Sequence, residues 1–282
     1  MPTLPGPLVN ASWLKDHLDD HDVLVADVRW YLDGRRGEAA YDAGHLPGAV
    51  FVDLDRDCAA EANLGPGRHP LPSPERFAAA MAAVGIGDNT SVVAYDDAGG
   101  SIAARLWWML TVTGHPAAVL DGGISAWTGE LSIDLAPRPN HVTFTARPWP
   151  LEVVADAVAV DTYRRSEGVV VLDARSAERF RGEPNPVDMR LGHVPGAKSA
   201  PWAGNVDPAT GRLRSPDELR ARFSQLGVSP DRTVVCYCGS GVTACHNVLA
   251  LRIAGLEHVR LYPGSWSDWS ADPDRPVATG PA

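Results

Sequence analysis

The chain has 282 residues, 45% of them hydrophobic, and carries a formal net charge of −10. This length predicts two domains of about 100 to 150 residues, each large enough to bury a core of its own. No run of Lys or Arg exceeds two residues, so the composition excludes binding to a nucleic-acid backbone as the main task, although local arginines can still hold a small anion.

The N-terminus has no basic region followed by an apolar core, so the sequence predicts no secretory signal. No segment approaches about 18 uninterrupted apolar residues, the length that a membrane-spanning helix needs. The four cysteines, at positions 58, 236, 238 and 245, are too few and too clustered for a disulfide framework. We therefore expect a cytoplasmic protein without membrane or nucleic-acid partners.

The first half of the chain alternates predicted strands and helices. A buried, β-branched run from Val23 to Val28 predicts a strand, and the turn at 44–48 leads into a further short strand. A helix from Ser73 to Val84 comes next, and a second buried strand from Ser91 to Tyr95 then enters a Gly-rich loop and another helix. This alternation predicts an α/β domain with a parallel sheet flanked by helices.

The second half repeats the first half in the same order. VLVADVR at 23–29 matches VVVLDAR at 169–175, and GHLPGAV at 44–50 matches GHVPGAK at 192–198. SVVAYD at 91–96 matches TVVCYC at 233–238, and LDGGISAW at 120–127 matches LYPGSWSDW at 261–269. Four ordered matches at nearly constant offset indicate a duplicated domain. We place the domains at 1–135 and 151–282, joined by a Pro-rich linker at 136–150.

The second Gly-rich loop begins with Cys238, where a predicted strand ends and a helix follows. Ligands gather at such junctions in parallel α/β sheets. Gly239 and Gly241 permit backbone conformations in which consecutive N–H groups turn inward and form an anion-binding nest. This surrounding favours thiolate over thiol, so the pattern indicates a nucleophilic cysteine.

Other uses of these cysteines fit the spacing less well. Cys236-x-Cys238 is too tight for an ordinary zinc pair, and C-x-x-C is absent. A functional disulfide between Cys238 and Cys245 stays a minor alternative, while burial as packing residues is the usual fate of Cys236 and Cys245. A phosphatase would need Arg at the sixth position after the nucleophile, where this chain has Ala244. We expect no metal and no organic cofactor.

The first half lacks the nucleophile, because Asp96 stands at the position that matches Cys238. His45 and His193 recur in both Gly-His-x-Pro-Gly turns, including the half without a nucleophile. Asp27 and Asp173 recur likewise at strand ends. We therefore interpret these repeated residues as structural.

The duplication, the Asp in the first loop and the Cys in the second resemble the two-domain rhodanese-like sulfurtransferases over nearly the whole chain. The loop CGSGVT at 238–243 is similar to that of the 3-mercaptopyruvate sulfurtransferase branch. Thiosulfate-using rhodaneses tend to carry basic residues after the Cys, where this chain has Gly239 and Ser240. The resemblance implies two tandem rhodanese-like α/β domains, of which the second is catalytic.

The resemblance also implies roles for individual residues. Cys238 would take a sulfane sulfur from the donor and become a persulfide. Ser240 would belong to a Ser-His-Asp relay, with His69 from RHPLP at 68–72 and Asp55 from FVDLD at 51–55. The residues expected to bind the donor are Arg179, Arg190, Gly239, Gly241, Val242 and Thr243. The family's second Arg, just after EPNP, is Val187 here, and Arg190 is the nearby replacement.

The expected reaction moves sulfur from 3-mercaptopyruvate to a thiol acceptor such as thioredoxin, or to cyanide. Thiosulfate as the preferred donor is the first alternative. An alternative of another class is a non-enzymatic persulfide carrier that receives sulfur from a partner protein.

Overall fold

The computed structural model describes residues 4–63, 65–136 and 142–281. The strands are β1 (Leu8–Val9), β2 (Val23–Asp27), β3 (Val50–Phe51), β4 (Ser91–Tyr95), β5 (Ala117–Leu120), β6 (Val169–Asp173), β7 (Lys198–Ser199), β8 (Thr233–Tyr237) and β9 (Val259–Leu261). The helices are α1 (Ala11–Asp16), α2 (Gly37–Ala43), α3 (Leu54–Asp57), α4 (Pro74–Ala83), α5 (Ala103–Val112), α6 (Ala157–Tyr163), α7 (Ala177–Arg181), α8 (Pro216–Gln225), α9 (Ala244–Ile253) and α10 (Ser265–Trp269).

The two sheets are parallel and share one strand order. The first sheet runs β1-β5-β4-β2-β3, and the second runs β7-β6-β8-β9. Read from the other edge, β9-β8-β6-β7 repeats β5-β4-β2-β3. A parallel bridge between Val154 and Leu261 takes the place of the β1 pairing in the second sheet. The predicted duplication and α/β class are thereby confirmed.

The central strands are apolar because helices flank the sheets. Every residue of β4 is buried, and so are four of the five residues of β8. Sheets covered on both faces select continuous β-branched runs of this kind. The helix before β4, α4, runs from Pro74 to Ala83, and the side chain of Ser73 caps its N-terminus. The predicted bounds, Ser73 and Val84, each differ from these by one residue.

The repeated polar residues hold the backbone at the strand ends. Asp27 accepts hydrogen bonds from the backbone N–H and the guanidinium of Arg29, with an ion pair of 2.6 Å. Asp173 and Arg175 form the same pair at 2.6 Å in the second unit. Each carboxylate thus fixes the turn that leaves its strand, in agreement with the structural interpretation.

The repeated histidines are buried in the same structural way. The His45 ring stacks on Tyr41 at 3.9 Å, and its Nδ1 lies 2.8 Å from the Tyr41 carbonyl oxygen. The His193 ring stacks on Phe180 at 3.6 Å, and its Nδ1 lies 2.7 Å from the Phe180 carbonyl oxygen. Burial lowers the pKa of His193, so its ring is neutral at pH 7.

Two compact units form the molecule. The first comprises Met1–Ala60, Pro72–Trp149 and Pro208–Leu213, and the second comprises Glu61–Leu71, Pro150–Asp207 and Arg214–Ala282. Segment 61–71 therefore packs with the second unit, although in the sequence it lies between two parts of the first unit. Part of the predicted linker, 137–141, lies outside the described residues, and the division at 135 and 150 stays a prediction.

The longest helices that the structure describes have ten residues, so none among them reaches across a membrane.

Candidate active site

Cys238 is the first residue after β8, at the carboxyl end of the second sheet. Its backbone N–H donates to Ser265 Oγ at 3.0 Å, and its carbonyl oxygen accepts from the Trp266 N–H at 2.9 Å. The Gly241 N–H donates to Cys238 Sγ at 3.1 Å. A backbone N–H aimed at the sulfur stabilises negative charge there, as the sequence predicts.

The loop after Cys238 requires glycine at position 241. Gly241 has a φ of +80°, a conformation that L side chains rarely adopt, and a Cβ there would lie 2.3 Å from the Pro263 carbonyl oxygen. Val242 is 4% exposed, and Thr243 is the N-cap residue of α9. Val242 and Thr243 therefore precede α9 and belong to the loop.

The first unit shows what this loop geometry can hold. Asp96 is fully buried, and its carboxylate accepts four backbone hydrogen bonds of 2.8 to 2.9 Å, from the N–H groups of Ala98, Gly100, Ile102 and Ala103. Asp96 aligns with Cys238 at an offset of 142 residues. Burial raises the pKa of Asp96, and the four N–H donors oppose that rise. The equivalent loop of the second unit aims the Gly241 N–H at the Cys238 sulfur.

Ser265 is a site residue that sequence reasoning did not identify. It is fully buried, its φ is +54°, and its Oγ lies 4.0 Å from Cys238 Sγ. The aligned residue of the first unit, Gly123, has nearly the same φ, +55°. A non-glycine residue at such a φ costs of order 1–3 kcal/mol and is typical of functional sites. The alignment of Ser265 with a glycine was the available signal.

The structure brings Ser240 and His69 together. His69 Nδ1 lies 2.7 Å from Ser240 Oγ, although the two residues are 171 positions apart. His69 reaches the loop because segment 61–71 packs with the second unit. Asp55 belongs to α3 of the first unit, where its Oδ2 accepts a hydrogen bond from Trp30 Nε1 at 2.9 Å.

Arg179 projects from α7, a short helix capped by Ser176. Its guanidinium donates to both oxygens of Asp188, at 2.8 and 2.5 Å. Burial alone would raise the pKa of Asp188, but Arg179 and Arg175 outweigh it and hold that pKa below its usual value. Arg190 Nη1 donates instead to the Asp272 carbonyl oxygen at 3.2 Å.

Arg68 is a second residue that sequence reasoning missed. Its Nη2 and Arg179 Nη2 each lie 3.0 Å from the point that a Cβ on Gly239 would occupy. Two guanidiniums therefore lie over the residue that follows the nucleophile. Its position directly before His69 in RHPLP could have indicated that Arg68 lies at the site.

The other two cysteines of the cluster are packing residues. Cys236 and Cys245 are fully buried, and burial raises the pKa of the Cys236 thiol far above its usual value. The Cys245 thiol donates to the Gly241 carbonyl oxygen at 3.4 Å. None of the four cysteines is in a disulfide. Cys238 thus combines a loop position with an N–H donor on its sulfur.

Comparison with known proteins agrees with this geometry. The rhodanese-like domain family matches residues 10–130 and 157–272. A Pseudomonas aeruginosa protein, provisionally named a 3-mercaptopyruvate sulfurtransferase, is 43% identical over 97% of this chain and 98% of its own length. A Mycobacterium tuberculosis protein, provisionally named the thiosulfate sulfurtransferase SseB, is 40% identical over 98% of each chain. The crystal structure of SseA, from work on Escherichia coli 3-mercaptopyruvate sulfotransferases, superposes with a TM-score of 0.81 at 33% identity, over 93% of this chain and 99% of SseA.

Proposed function

The chain belongs to the rhodanese-like family and is a sulfurtransferase, and from that premise we propose that it transfers a sulfane sulfur from 3-mercaptopyruvate to a thiophilic acceptor. The observation that carries the proposal is the Gly241 N–H aimed at Cys238 Sγ, 3.1 Å away, in a loop whose first-unit copy already holds a carboxylate. A backbone nest that stabilises one anion stabilises a thiolate and a persulfide by the same means.

In the first half-reaction, the Cys238 thiolate attacks the sulfur of the donor. A bond forms between the two sulfurs, the bond between sulfur and carbon breaks, and its electron pair leaves with the pyruvate enolate. The enolate then takes a proton on carbon and departs as pyruvate, while Cys238 keeps the persulfide. Positive charge near the keto and carboxylate oxygens stabilises the departing enolate, which is the role we assign to Arg179.

In the second half-reaction, an acceptor thiolate or cyanide attacks the outer sulfur of the persulfide. The bond between the two sulfurs breaks, its electron pair returns to Cys238, and the thiolate is restored. No electrons enter or leave overall, so the cycle requires no redox cofactor. The acceptor we propose is a thiol such as thioredoxin, with cyanide as a laboratory substitute.

Ser240 and His69 are placed to move the proton that this cycle needs. The donor's thiol proton must leave its sulfur and a proton must reach the enolate carbon. A hydroxyl 2.7 Å from an imidazole nitrogen passes a proton through one short hydrogen bond. We propose this pair as the relay, with Asp55 as its third member, and we propose Gly239, Val242 and Thr243 as further donor contacts.

Thiosulfate remains a second candidate donor, because one of the relatives is named a thiosulfate sulfurtransferase. Its outer sulfur is also attacked by a thiolate, with sulfite as the leaving group, and two guanidiniums over Gly239 suit a dianion. A persulfide carrier would use the same Cys238 but would show no turnover with either small donor. Turnover measured with each of the two donors therefore distinguishes the three proposed functions.

The test compares kcat/KM for 3-mercaptopyruvate and thiosulfate in wild type and Cys238→Ser. We expect wild type to prefer 3-mercaptopyruvate, and we expect Cys238→Ser to lose turnover and the sulfur adduct seen by intact mass. Cys236→Ser is the matched control. Because Cys236 lies inside β8 and is not expected to carry sulfur, this variant should keep both the turnover and the sulfur adduct. Equal activity in Cys238→Ser would end the mechanism. A thiosulfate preference of about tenfold, at least about 1.4 kcal/mol of transition-state discrimination, would reverse the choice of donor.

A further inference from the structure

The Arg68 guanidinium lies against the residue that stands where the family's second substrate arginine is expected. Arg68 Nη1 donates to the carbonyl oxygen of Val187 at 3.1 Å. The backbone is held as well, since the Arg68 N–H donates to Ser267 Oγ at 3.0 Å. Segment 61–71 thus places a guanidinium beside position 187, where this chain has Val instead of the expected Arg.

The segment that receives Arg68 has a defined shape. Asn185 Oδ1 accepts hydrogen bonds from the N–H groups of Val187 and Asp188, at 3.0 and 2.9 Å. This turn directs the Val187 carbonyl toward Arg68 and the Asp188 carboxylate toward Arg179. One short turn therefore positions both guanidiniums beside Gly239.

The two guanidiniums differ in how their charge is balanced. Arg179 is paired with both oxygens of Asp188, whereas Arg68 forms no ion pair with any residue that the structure describes. Burial and the neighbouring Arg179 both lower the pKa of Arg68, yet a guanidinium stays protonated at neutral pH. The charge of Asp188 also acts on Arg68, but that carboxylate is already paired with Arg179. Two partly buried cations that share one carboxylate favour a further anionic ligand.

We propose that Arg68 binds the carboxylate of the sulfur donor and takes the place of the family's second substrate arginine. The proposal deepens the sulfurtransferase function above and rests on it. A guanidinium presents parallel N–H donors that match a carboxylate in a bidentate pair. Arg68 keeps its second terminal nitrogen for this pair, because only Nη1 is engaged with Val187.

The same contact explains the glycine after the nucleophile. A Cβ at position 239 would lie 3.0 Å from both guanidiniums, closer than ordinary van der Waals contact. In this chain the positive charge beside the nucleophile comes from Arg68 across space rather than from a basic side chain in the loop. Gly239 leaves the room that this arrangement needs.

The test is the steady-state kinetics of Arg68→Gln with 3-mercaptopyruvate. We expect KM to rise roughly 10- to 100-fold while kcat changes less than about threefold, because the lost contact binds substrate and transition state alike. Arg68→Lys keeps the positive charge but loses the paired N–H donors of the guanidinium, so its KM should lie between those of wild type and Arg68→Gln. Arg165→Gln, which removes an exposed guanidinium paired with Asp161, is the control and should match wild type.

A neutral donor separates carboxylate binding from a structural role. With an analogue that carries a methyl ketone in place of the ketoacid, wild type and Arg68→Gln should have equal KM. The double variant Arg68→Gln with Val187→Arg should recover most of the wild-type KM for 3-mercaptopyruvate. Equal losses on the neutral and the charged donor would overturn the proposal. So would an unchanged KM in Arg68→Gln, or a larger KM rise in Arg190→Gln.

Failure of the proposed function would look different. If wild type itself does not turn over 3-mercaptopyruvate, the function fails before Arg68 is tested. If wild type is active and Arg68→Gln is unaffected, only the role of Arg68 fails. Competitive inhibition by pyruvate adds a readout that needs no turnover of the ketoacid, and it should weaken in Arg68→Gln and in Arg68→Lys.

Discussion

At the scale of single residues, the site depends on one sulfur and one proton path. The Gly241 N–H is aimed at the Cys238 sulfur at 3.1 Å, and the Ser240 hydroxyl pairs with His69 at 2.7 Å. In the proposed reaction, the first contact stabilises charge on the nucleophile, and the second lets a proton leave or enter the site. One contact uses the backbone N–H of Gly241 and the other uses the side chain of Ser240, and both residues belong to the turn that follows Cys238.

The proposed relay predicts that Ser240→Ala and His69→Gln each lower kcat/KM by about 10²- to 10⁴-fold, the usual contribution of positioned acid–base groups. The double variant should be hardly worse than either single variant, because two members of one relay act as a unit. Ser166→Ala, which removes a hydroxyl bonded to the Thr162 carbonyl oxygen of α6, is the control. Losses that multiply in the double variant would contradict the relay.

At the scale of elements, Asp88 holds residues 143–145 against the turn before β4. The Asp88 N–H donates to the Thr143 carbonyl oxygen at 2.9 Å, and the Asp88 carboxylate accepts from Thr145 N at 2.7 Å and Thr145 Oγ1 at 2.6 Å. The two hydrogen bonds from Thr145, with a smaller contribution from His115, lower the pKa of Asp88 to about 2. The ionised carboxylate is therefore the form that holds the segment.

Asp88→Asn should lower the free energy of unfolding by about 1 kcal/mol at pH 7, since one charged acceptor is lost at a partly exposed position. A depressed carboxyl pKa contributes stability that is present above the unfolded value of about 3.9 and is lost as the pH falls toward 2. The difference between wild type and variant should therefore shrink between pH 4 and pH 2. Urea unfolding at several pH values measures it.

The control for this pH dependence is Asp19→Asn, which changes an exposed carboxylate and should leave the curve unchanged. A difference between wild type and Asp88→Asn that stays constant from pH 7 to pH 2 would contradict the assignment.

At the scale of the whole molecule, one fold appears twice and carries the nucleophile once. The loops after β4 and β8 are equivalent, but Asp96 stands opposite Cys238 and Ala98 opposite Ser240. The buried carboxylate of Asp96 satisfies four backbone N–H groups within its own unit. The first unit thus uses its loop to bind its own carboxylate, and in the proposed function the chemistry takes place in the second unit.

The double variant Asp96→Cys with Cys238→Ser is therefore predicted to be inactive, since a thiol in the first loop lacks the hydroxyl partner that Ser240 provides. Intact mass after exposure to 3-mercaptopyruvate should show one added sulfur per wild-type chain and none in the double variant. Asp96→Cys alone should remain active through Cys238, which would show that the chain still folds. Turnover by the double variant near the wild-type rate would contradict the division of labour.

The sequence by itself determined the duplication and the α/β class, and it provided the position of the proposed nucleophile. Each depends on local patterns: β-branched runs make strands, and a Cys between a strand and a Gly-rich turn reaches a helix N-terminus whatever surrounds it. The strand Ser91–Tyr95 was predicted to the residue. His69 and Asp55 were available only through resemblance to a family.

Only the tertiary structure decided which distant side chains meet Cys238. Segment 61–71 belongs to the second unit, and no local sequence pattern indicates this, so Arg68 was overlooked although the neighbouring His69 was named. Arg190 was nearer in sequence to the expected position, yet its guanidinium donates to the Asp272 carbonyl oxygen. The positive φ of Ser265 likewise follows from the loop packed around it. Long side chains and strained backbones are placed by contacts between residues far apart in the chain, and a linear sequence does not state those contacts.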